Sequence, residues 1–257
     1  MAKRPSLKPK PKPAARKKRA LVSRPSISAF FPAYNEEANI GALCLKTASV
    51  LKRVAGDWEV VAINDGSKDA TAAVVEALHK KEPGIRVVSH SVNSGYGAAV
   101  KTGFKSAKMD WIFLTDGDGQ FDVNEIERLL PLAQDHDLVV GYRIKRADPF
   151  HRKANAWAWG TLVRTLFGLK GVRDIDCAFK LIRRDVFKTF QLETTGAMIS
   201  TELLVKSQKN GFRIAEIGVQ HYARTAGTQT GAKLSVIARA FKELFHYYLQ
   251  WQRQGYR

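Results

Sequence analysis

The amino-acid sequence predicts an α/β fold in which a mostly parallel sheet is covered by helices on both faces. Short apolar runs, rich in β-branched and aromatic residues, alternate along the chain with longer segments whose apolar residues recur at helical spacing. This alternation is typical of βαβ units, whose crossover helices cover the faces of a parallel sheet. With 257 residues, 45% of them hydrophobic, the chain is large enough for one domain with a substantial core.

The first strand and the first helix show the pattern most clearly. Residues 26–31 form a β-branched and aromatic run that stops at Pro32, which predicts a buried strand. Apolar residues at helical spacing extend from Asn35 to Val54, and Gly56 follows, which predicts a helix that ends there. The same reasoning predicts strands at 59–63, 85–89, 111–115 and 138–141, and helices at 67–80, 94–107 and 123–134.

The regular alternation ends after Tyr142. A basic stretch at 143–153 leads into an aromatic helix around Trp157 and Trp159. A second cluster at 174–182 precedes another predicted helix and strand, at 198–209 and 212–219. We expect this half of the chain to be attached to the more regular first half.

Both ends of the chain are basic. Residues 1–25 contain ten lysines and arginines and no acid, so we predict a disordered arm that seeks a polyanion such as anionic lipid or nucleic acid. A solvated tail without a partner is the alternative. Residues 232–257 are predicted to form a basic amphipathic helix, which either docks on its own domain or lies at a membrane interface.

Several classes of protein are disfavoured by the composition. The sequence contains no run of about 18 apolar residues, and the basic arm lacks the apolar stretch of a secretory signal. Cys44 and Cys177 lie far apart, so neither a disulfide framework nor a zinc cluster is expected. We therefore expect a reduced, cytoplasmic setting.

Polar loops follow four of the predicted strands, at residues 32–36, 64–67, 93–97 and 116–122. Because the carboxyl ends of parallel strands share one edge of the sheet, where ligands of α/β proteins bind, we predict that these loops form one site. The glycines of the third loop do not match a dinucleotide fingerprint, since Val100 stands where that motif needs glycine or alanine.

The fourth loop carries the strongest chemical signal. Asp116 and Asp118, two residues apart after an apolar strand, can share a hard divalent cation such as Mg²⁺ or Mn²⁺. A turn built from Asp and Gly for purely conformational reasons is the alternative. Glu36 and Asp65 have no basic neighbour in their own loops, which makes them candidate acceptors for a nucleoside base or ribose. For Asn35 and Ser67, helix N-capping is the competing explanation.

In this order the loops resemble family 2 of the inverting glycosyltransferases, which have the nucleotide-sugar-binding GT-A fold. The resemblance covers residues 26–231, and within the family it is closest to polyprenol-phosphate sugar synthases of the dolichol-phosphate-mannose-synthase type. It implies that 26–231 is a catalytic domain and that Asp118 and Gln120 bind Mg²⁺ or Mn²⁺. It also implies a set of residues on the nucleotide: Pro32, Ala33, Tyr34, Glu36, Asp65 and Asp116.

The acceptor side is implied by later motifs. Gly141-Tyr142-Arg143 resembles the Gly-Ser-Arg of these synthases. The resemblance implies that Arg143 and a second arginine, Arg152, hold a lipid phosphate. Together with Asp118, these arginines are the implied catalytic residues. The segment 174–180 is similar to the family's Asp-x-x-Ser/Cys-Gly-Phe-Lys stretch, and a later segment to a loop that closes over the donor. From these segments the resemblance implies four further site residues, on the acceptor side or in the closing loop: Asp174, Asp176, Lys180 and Arg224.

The resemblance implies an inverting enzyme that moves a hexose from GDP-mannose or UDP-glucose to a polyprenyl phosphate at the cytoplasmic face of a membrane. The C-terminal transmembrane helices of many relatives and the Gln-x-x-Arg-Trp motif of processive synthases are missing. We therefore expect no polymerisation, and membrane access through the basic arm, the terminal helix or a separate membrane protein.

Three other functions are compatible with the sequence. Transfer to a saccharide or another hydroxyl needs a base, for which Asp174 and Asp176 are candidates. Binding of a sugar nucleotide without turnover is the second. A nucleic-acid-binding protein is the remote third, and we expect no nucleic-acid partner because the core loops are acidic and would repel a phosphate backbone.

Overall fold

The computed structural model describes residues 24–144, 150–224 and 234–253, except the side chains of 150–153, 155, 234–240 and 253. In this part of the chain a single seven-stranded sheet forms the centre. Its strands are β1 Ile27–Ala33, β2 Trp58–Asn64, β3 Ile85–Ser89, β4 Trp111–Leu114, β5 Leu138–Arg143, β6 Lys180–Arg183 and β7 Ile214–Val219. The helices are α1 Glu37–Val54, α2 Thr71–His79, α3 Tyr96–Ser106, α4 Ile126–Ala133, α5 Phe150–Phe167, α6 Ile199–Lys209 and α7 Leu234–Arg253. Nearly all of the predicted arm, residues 1–23, lies outside the described residues.

The sheet is mostly parallel, as predicted, with the strand order β3-β2-β1-β4-β6-β5-β7. β1 pairs in parallel with β2 and β4, β2 with β3, and β5 with β7. β6 runs antiparallel between β4 and β5. The sequence pattern does not predict this strand, because it has only four residues and begins with a charged residue, Lys180. In the fold this lysine is completely buried.

Helices bury both faces of the sheet, which confirms the predicted architecture. Neighbouring residues of β1 alternate between the faces, so Phe31 joins one apolar cluster and Phe30 joins the other. α1 and α4 pack on the first face, and α3, α5, α6 and α7 contribute to the second. The carboxyl ends of the central strands are thereby held from both sides, and the loops that leave them start from fixed positions.

The C-terminal helix α7 docks on the domain through one of its faces. Leu244, Tyr247 and Trp251 are each at most 3% exposed. The rings of Tyr247 and Trp251 lie 5.6 and 5.9 Å from that of Phe167 on α5. Of the two placements left open by the sequence, docking on its own domain is the one observed. Within the described ranges, no helix combines the length and apolar character needed to cross a bilayer.

Both cysteines are buried free thiols in the described chain. Burial raises the pKa of Cys44 to about 12, and burial together with the Asp174 carboxylate raises that of Cys177 to about 12 as well. Because the thiolate is the reactive form, we expect iodoacetamide at about pH 8 to leave both cysteines unmodified in the folded protein. Mass spectrometry should find both alkylated in urea. Modification of either one without denaturant would contradict this burial.

Candidate active site

The first two polar loops are fastened to each other by side chains. The Asn35 amide donates to Ser67 Oγ (2.9 Å), and the Lys68 amide donates to Asn35 Oδ1 (2.8 Å). Asn35 adopts a left-handed backbone conformation with φ of 56°, which asparagine tolerates better than most residues. The competing explanation, helix N-capping, is not observed: α2 begins only at Thr71, and the N-cap residues of α1 and α2 make no side-chain capping bond. Asn35 and Ser67 are used to join the loops instead.

Asp65 holds the third loop in place. Its Oδ1 accepts the Ser94 amide (2.9 Å) and its Oδ2 accepts the Gly95 amide (2.8 Å). His90 Nδ1 lies 2.7 Å from Oδ1, and the other ring nitrogen of His90 lies 2.8 Å from Thr102 Oγ1. Asp65 is only 4% exposed, so its first task is to fix this loop beside the second. Sequence reasoning did not identify His90, because a lone histidine after a strand carries no motif.

The remaining nucleotide candidates line the first loop. Ala33 is buried and its carbonyl accepts the Asp65 amide (2.9 Å), whereas the Tyr34 side chain is 39% exposed. The Pro32 carbonyl approaches the fourth loop closely: a Cβ atom added at Gly117 would lie 2.7 Å from it. Gly117 is therefore required by this close approach, not only by the turn.

The fourth loop places two carboxylates beside a tyrosine. Tyr96, the first residue of α3, donates its hydroxyl to Asp116 Oδ1 (3.1 Å). Burial and the neighbouring Asp118 carboxylate raise the pKa of Asp116 to about 6, although Tyr96, Arg143 and Lys180 act in the opposite direction. Desolvation and the Asp116 charge raise the pKa of Tyr96 well above its usual value. The site thus concentrates negative charge where it is poorly solvated, which favours a cation.

Asp118 and Gln120 follow in the same loop, where Gln120 is buried and Asp118 is half-buried. Asp118 Oδ1 accepts the Gln120 amide (3.1 Å), while Gln120 Nε2 donates to the Tyr222 carbonyl (2.8 Å) and so leaves Oε1 for a ligand. Arg224 pairs with Glu36 and reaches within 3.7 Å of Asp118 Oδ2. This guanidinium shows that the carboxylates attract a positive charge. The rest of the segment that contains Arg224, residues 225–230, lies outside the described residues.

A divalent cation fits this donor set. Among the described residues, no group of three or more His, Cys, Asp and Glu side chains has the spacing to hold a metal ion alone. Mg²⁺ and Mn²⁺ prefer oxygen ligands, and Mg²⁺ is commonly held by one or two carboxylates together with substrate phosphates. Asp118, the nearby Asp116 and the Gln120 amide oxygen offer that partial set.

On the acceptor side, Arg143 at the end of β5 forms a two-pronged ion pair with Asp174. Nε and Nη2 of Arg143 each lie 2.7 Å from an oxygen of Asp174, and both side chains are less than 15% exposed. Hydrogen bonding to Asp174 and its charge raise the pKa of Arg143 against the effect of its burial. Arg152 lies on α5, but its side chain is outside the described residues.

Lys180 is completely buried and cannot meet an acceptor directly in this structure. Its Nζ donates to the carbonyls of Ile175 and Cys177, so it anchors the turn that carries Asp174 and the exposed Asp176. Burial lowers the pKa of Lys180. A further residue that the sequence did not single out, Glu216, accepts the Arg173 and Asp174 amides at 2.6 and 3.1 Å and fixes the start of the same turn.

Comparison with known proteins agrees with this geometry. The model for glycosyl transferase family 2 matches residues 28–190. A dolichyl-phosphate beta-glucosyltransferase of Trichomonas vaginalis is 31% identical over 207 residues, which cover 74% of this chain and 61% of that protein. A dodecaprenyl-phosphate galacturonate synthase of Rhizobium johnstonii is 31% identical over 206 residues, which cover 78% and 60%. The chain spans about three fifths of the length of these relatives.

Solved structures show the same fold. Glucosyl-3-phosphoglycerate synthase from Mycobacterium tuberculosis, crystallised with Mn²⁺ and UDP-glucose, superposes with a TM-score of 0.68 at 19% identity, covering 87% of this chain and 79% of that one. The same enzyme with Mn²⁺, UDP and its glucosylated product gives a TM-score of 0.67 at 20% identity, covering 84% and 76%. The fold is therefore GT-A. Because the family model also matches more than half of the chain, the protein belongs to glycosyl transferase family 2.

Proposed function

We propose that this protein transfers a hexose, with inversion, from UDP-glucose or GDP-mannose to a polyprenyl phosphate at a membrane surface. The relatives are named for lipid-phosphate acceptors and for glucose or galacturonate, and the structural neighbours contain UDP or UDP-glucose. These names favour a UDP-sugar over GDP-mannose as the donor. We further propose an anionic membrane as partner, through the basic arm 1–25 and the terminal helix, with no nucleic-acid partner.

The proposal depends chiefly on one feature: the acidic loop after β4 and the arginine at the end of β5 lie at the same edge of the sheet. Asp116 and Asp118 lie on the loop after β4, and Arg143 ends β5, which runs in the same direction one strand away in the sheet. A nucleotide diphosphate and a phosphate acceptor are both anions, and they need cationic groups to approach each other. Such a site suits transfer between two phosphate-bearing substrates.

In the proposed reaction, Asp118 and Gln120 hold Mg²⁺ or Mn²⁺, and Glu36, Asp65 and Asp116 lie near the nucleoside and diphosphate. When bound there, the cation supplies Lewis-acid stabilisation of the charge that develops on the leaving diphosphate. A phosphate monoester is largely ionised at neutral pH, so the acceptor can attack the anomeric carbon without a strong base. Arg143, and Arg152 in our proposal, orient that phosphate, and direct displacement inverts the anomeric centre.

The experiment is a transfer assay with radiolabelled UDP- and GDP-sugars, polyprenyl phosphate and either Mg²⁺ or Mn²⁺. We expect label in the organic phase from one donor, and a β-linked sugar phosphate from an α-linked donor by NMR. An α-linked product would overturn the inverting mechanism. Hydrolysis of the donor without label in the lipid would leave the transferase assignment in place but exclude polyprenyl phosphate as the acceptor.

Transfer to a hydroxyl is the second candidate, and the exposure of Asp176 at the edge of the site favours it. An alcohol needs a general base within reach, and Asp176 is exposed whereas the Asp174 side chain is 14% exposed, so Asp176 is the better candidate of the two. If the acceptor is a phosphate, we expect Asp176→Asn to change kcat by less than about threefold. A loss of about a hundredfold or more in kcat, the lower end of what general-base catalysis contributes, would favour the hydroxyl acceptor instead.

A further inference from the structure

Helix α7 has a second apolar face that the domain does not cover. Phe241, Phe245 and Leu249 are 50%, 66% and 41% exposed, and their spacing of four residues aligns them along one side of the helix. The buried residues Leu244 and Trp251 lie on another side. Docking on the domain thus leaves these three apolar side chains exposed.

The exposed face of helix α5 is nearly free of charge. Between residues 154 and 167 the sequence has one charged residue, Arg164, which is half-buried and donates to the Arg173 carbonyl (3.1 Å). The exposed positions of this segment are small, hydroxylated or apolar. They are Ala154, Trp157, Ala158, Thr161, Leu162 and Thr165. An exposed helical face of a soluble domain normally carries charged residues, and none of these six positions is charged.

The two helices pack against each other. The ring centroids of Trp159 on α5 and Phe241 on α7 lie 5.5 Å apart, nearly perpendicular. Further along, Phe167 contacts Tyr248 at 5.9 Å. The exposed apolar side chains of these paired helices define what we call the α5–α7 surface: Trp157 and Leu162 on α5, with Phe241, Phe245 and Leu249 on α7. Apolar patches of this kind on a folded domain mark interaction sites.

We propose that the α5–α7 surface inserts into the headgroup region of an anionic membrane and so presents the active site to its acceptor. This inference rests on the proposed function, because a lipid acceptor has to be reached at the membrane. Trp157 of this surface lines a cavity together with Arg173 and Glu216, and Glu216 holds the start of the turn that carries Asp174, so the surface adjoins the proposed acceptor side. Lys242 is exposed next to the aromatic stripe, and the acid-free arm adds ten basic residues. Aromatic residues flanked by basic ones are the composition of interfacial helices.

The test is co-sedimentation of the full chain with phosphatidylcholine vesicles containing phosphatidylglycerol but no polyprenyl phosphate. We expect Phe245→Glu to weaken binding by about tenfold or more, since burial of one aromatic side chain accounts for a factor of that size. Phe245→Leu should retain most of the binding. Leu45→Glu is the matched control, because Leu45 is 51% exposed on α1, which packs on the opposite face of the sheet.

High salt separates this contact from the attraction of the arm, because salt screens exposed charges and leaves apolar insertion intact. The difference between Phe245→Glu and the wild type should therefore persist at high salt. Unchanged binding of Phe245→Glu, with the circular dichroism of the wild type, would overturn the inference. So would a dimer of the wild type that this substitution converts to a monomer, since a second copy would then cover the surface. The vesicles contain neither acceptor nor donor. Vesicle binding can therefore be interpreted even if the transfer assay shows no activity.

Discussion

Replacing Asp118 by alanine should reduce sugar transfer by about a thousandfold, which corresponds to ~4 kcal/mol of lost transition-state stabilisation. Asp118 lies in the fourth loop, where Arg224 already approaches it at 3.7 Å. Without this carboxylate, the proposed cation loses its charged protein ligand while Gln120 remains. The measurement is the initial rate of transfer over a range of Mn²⁺ concentrations, together with Mn²⁺ binding in the presence of the nucleoside diphosphate.

Asp122 provides a matched control in the same loop. Its Oδ1 accepts the Asn124 amide (3.1 Å) and caps the short 3₁₀ turn at Val123–Glu125, and it pairs with Lys46 at 2.9 Å. We expect Asp122→Ala to cost about 1 kcal/mol of folding stability, as loss of an N-cap does, and to leave the dependence on Mn²⁺ unchanged. If Asp118→Ala and Asp122→Ala lowered the rate equally, or if Asp118→Ala kept the wild-type rate, the assigned role of Asp118 would be wrong.

The fold and the position of the site follow from local patterns that a sequence displays directly. Apolar periodicity predicts β1, α1 and most later elements of the parallel sheet, and polar loops after those strands predict where the candidate residues gather. The contacts between loops do not follow from such patterns. Asn35 and Ser67 have the residue types of helix caps, yet partners 32 and 33 residues away in the sequence set their actual use.

Long-range packing also explains two features that the sequence pattern does not predict, strand β6 and the exposed side of α7. β6 is recognisable only once β4 and β5 lie on its two sides, because a four-residue run that starts with Lys180 does not look like a central strand. The same holds for α7, whose apolar residues read as one face in the sequence. Among its described side chains, Leu244, Tyr247 and Trp251 are buried, whereas Phe241, Phe245 and Leu249 stay exposed.

Replacing Asp174 by alanine should destabilise the protein by about 3–5 kcal/mol, the usual cost of leaving a buried charge without its partner. The Arg143 side chain is 13% exposed, and both of its bonds to Asp174 are 2.7 Å long. Urea unfolding followed by circular dichroism measures the loss. The double variant Asp174→Ala with Arg143→Met should recover part of it, because the uncompensated guanidinium is then also removed.

A comparison of Asp174→Ala with Asp174→Asn distinguishes a structural partner of Arg143 from a general base. If Asp174 serves to hold Arg143, Asp174→Ala lowers stability, and transfer falls because the acceptor phosphate loses an oriented arginine. Asp174→Asn should be milder on both counts, since an amide oxygen still accepts one hydrogen bond from Arg143. A general base gives a different pattern: the loss of stability in Asp174→Asn would still be mild, while kcat would fall by about a hundredfold or more. That outcome would move the proposed acceptor from a phosphate to a hydroxyl.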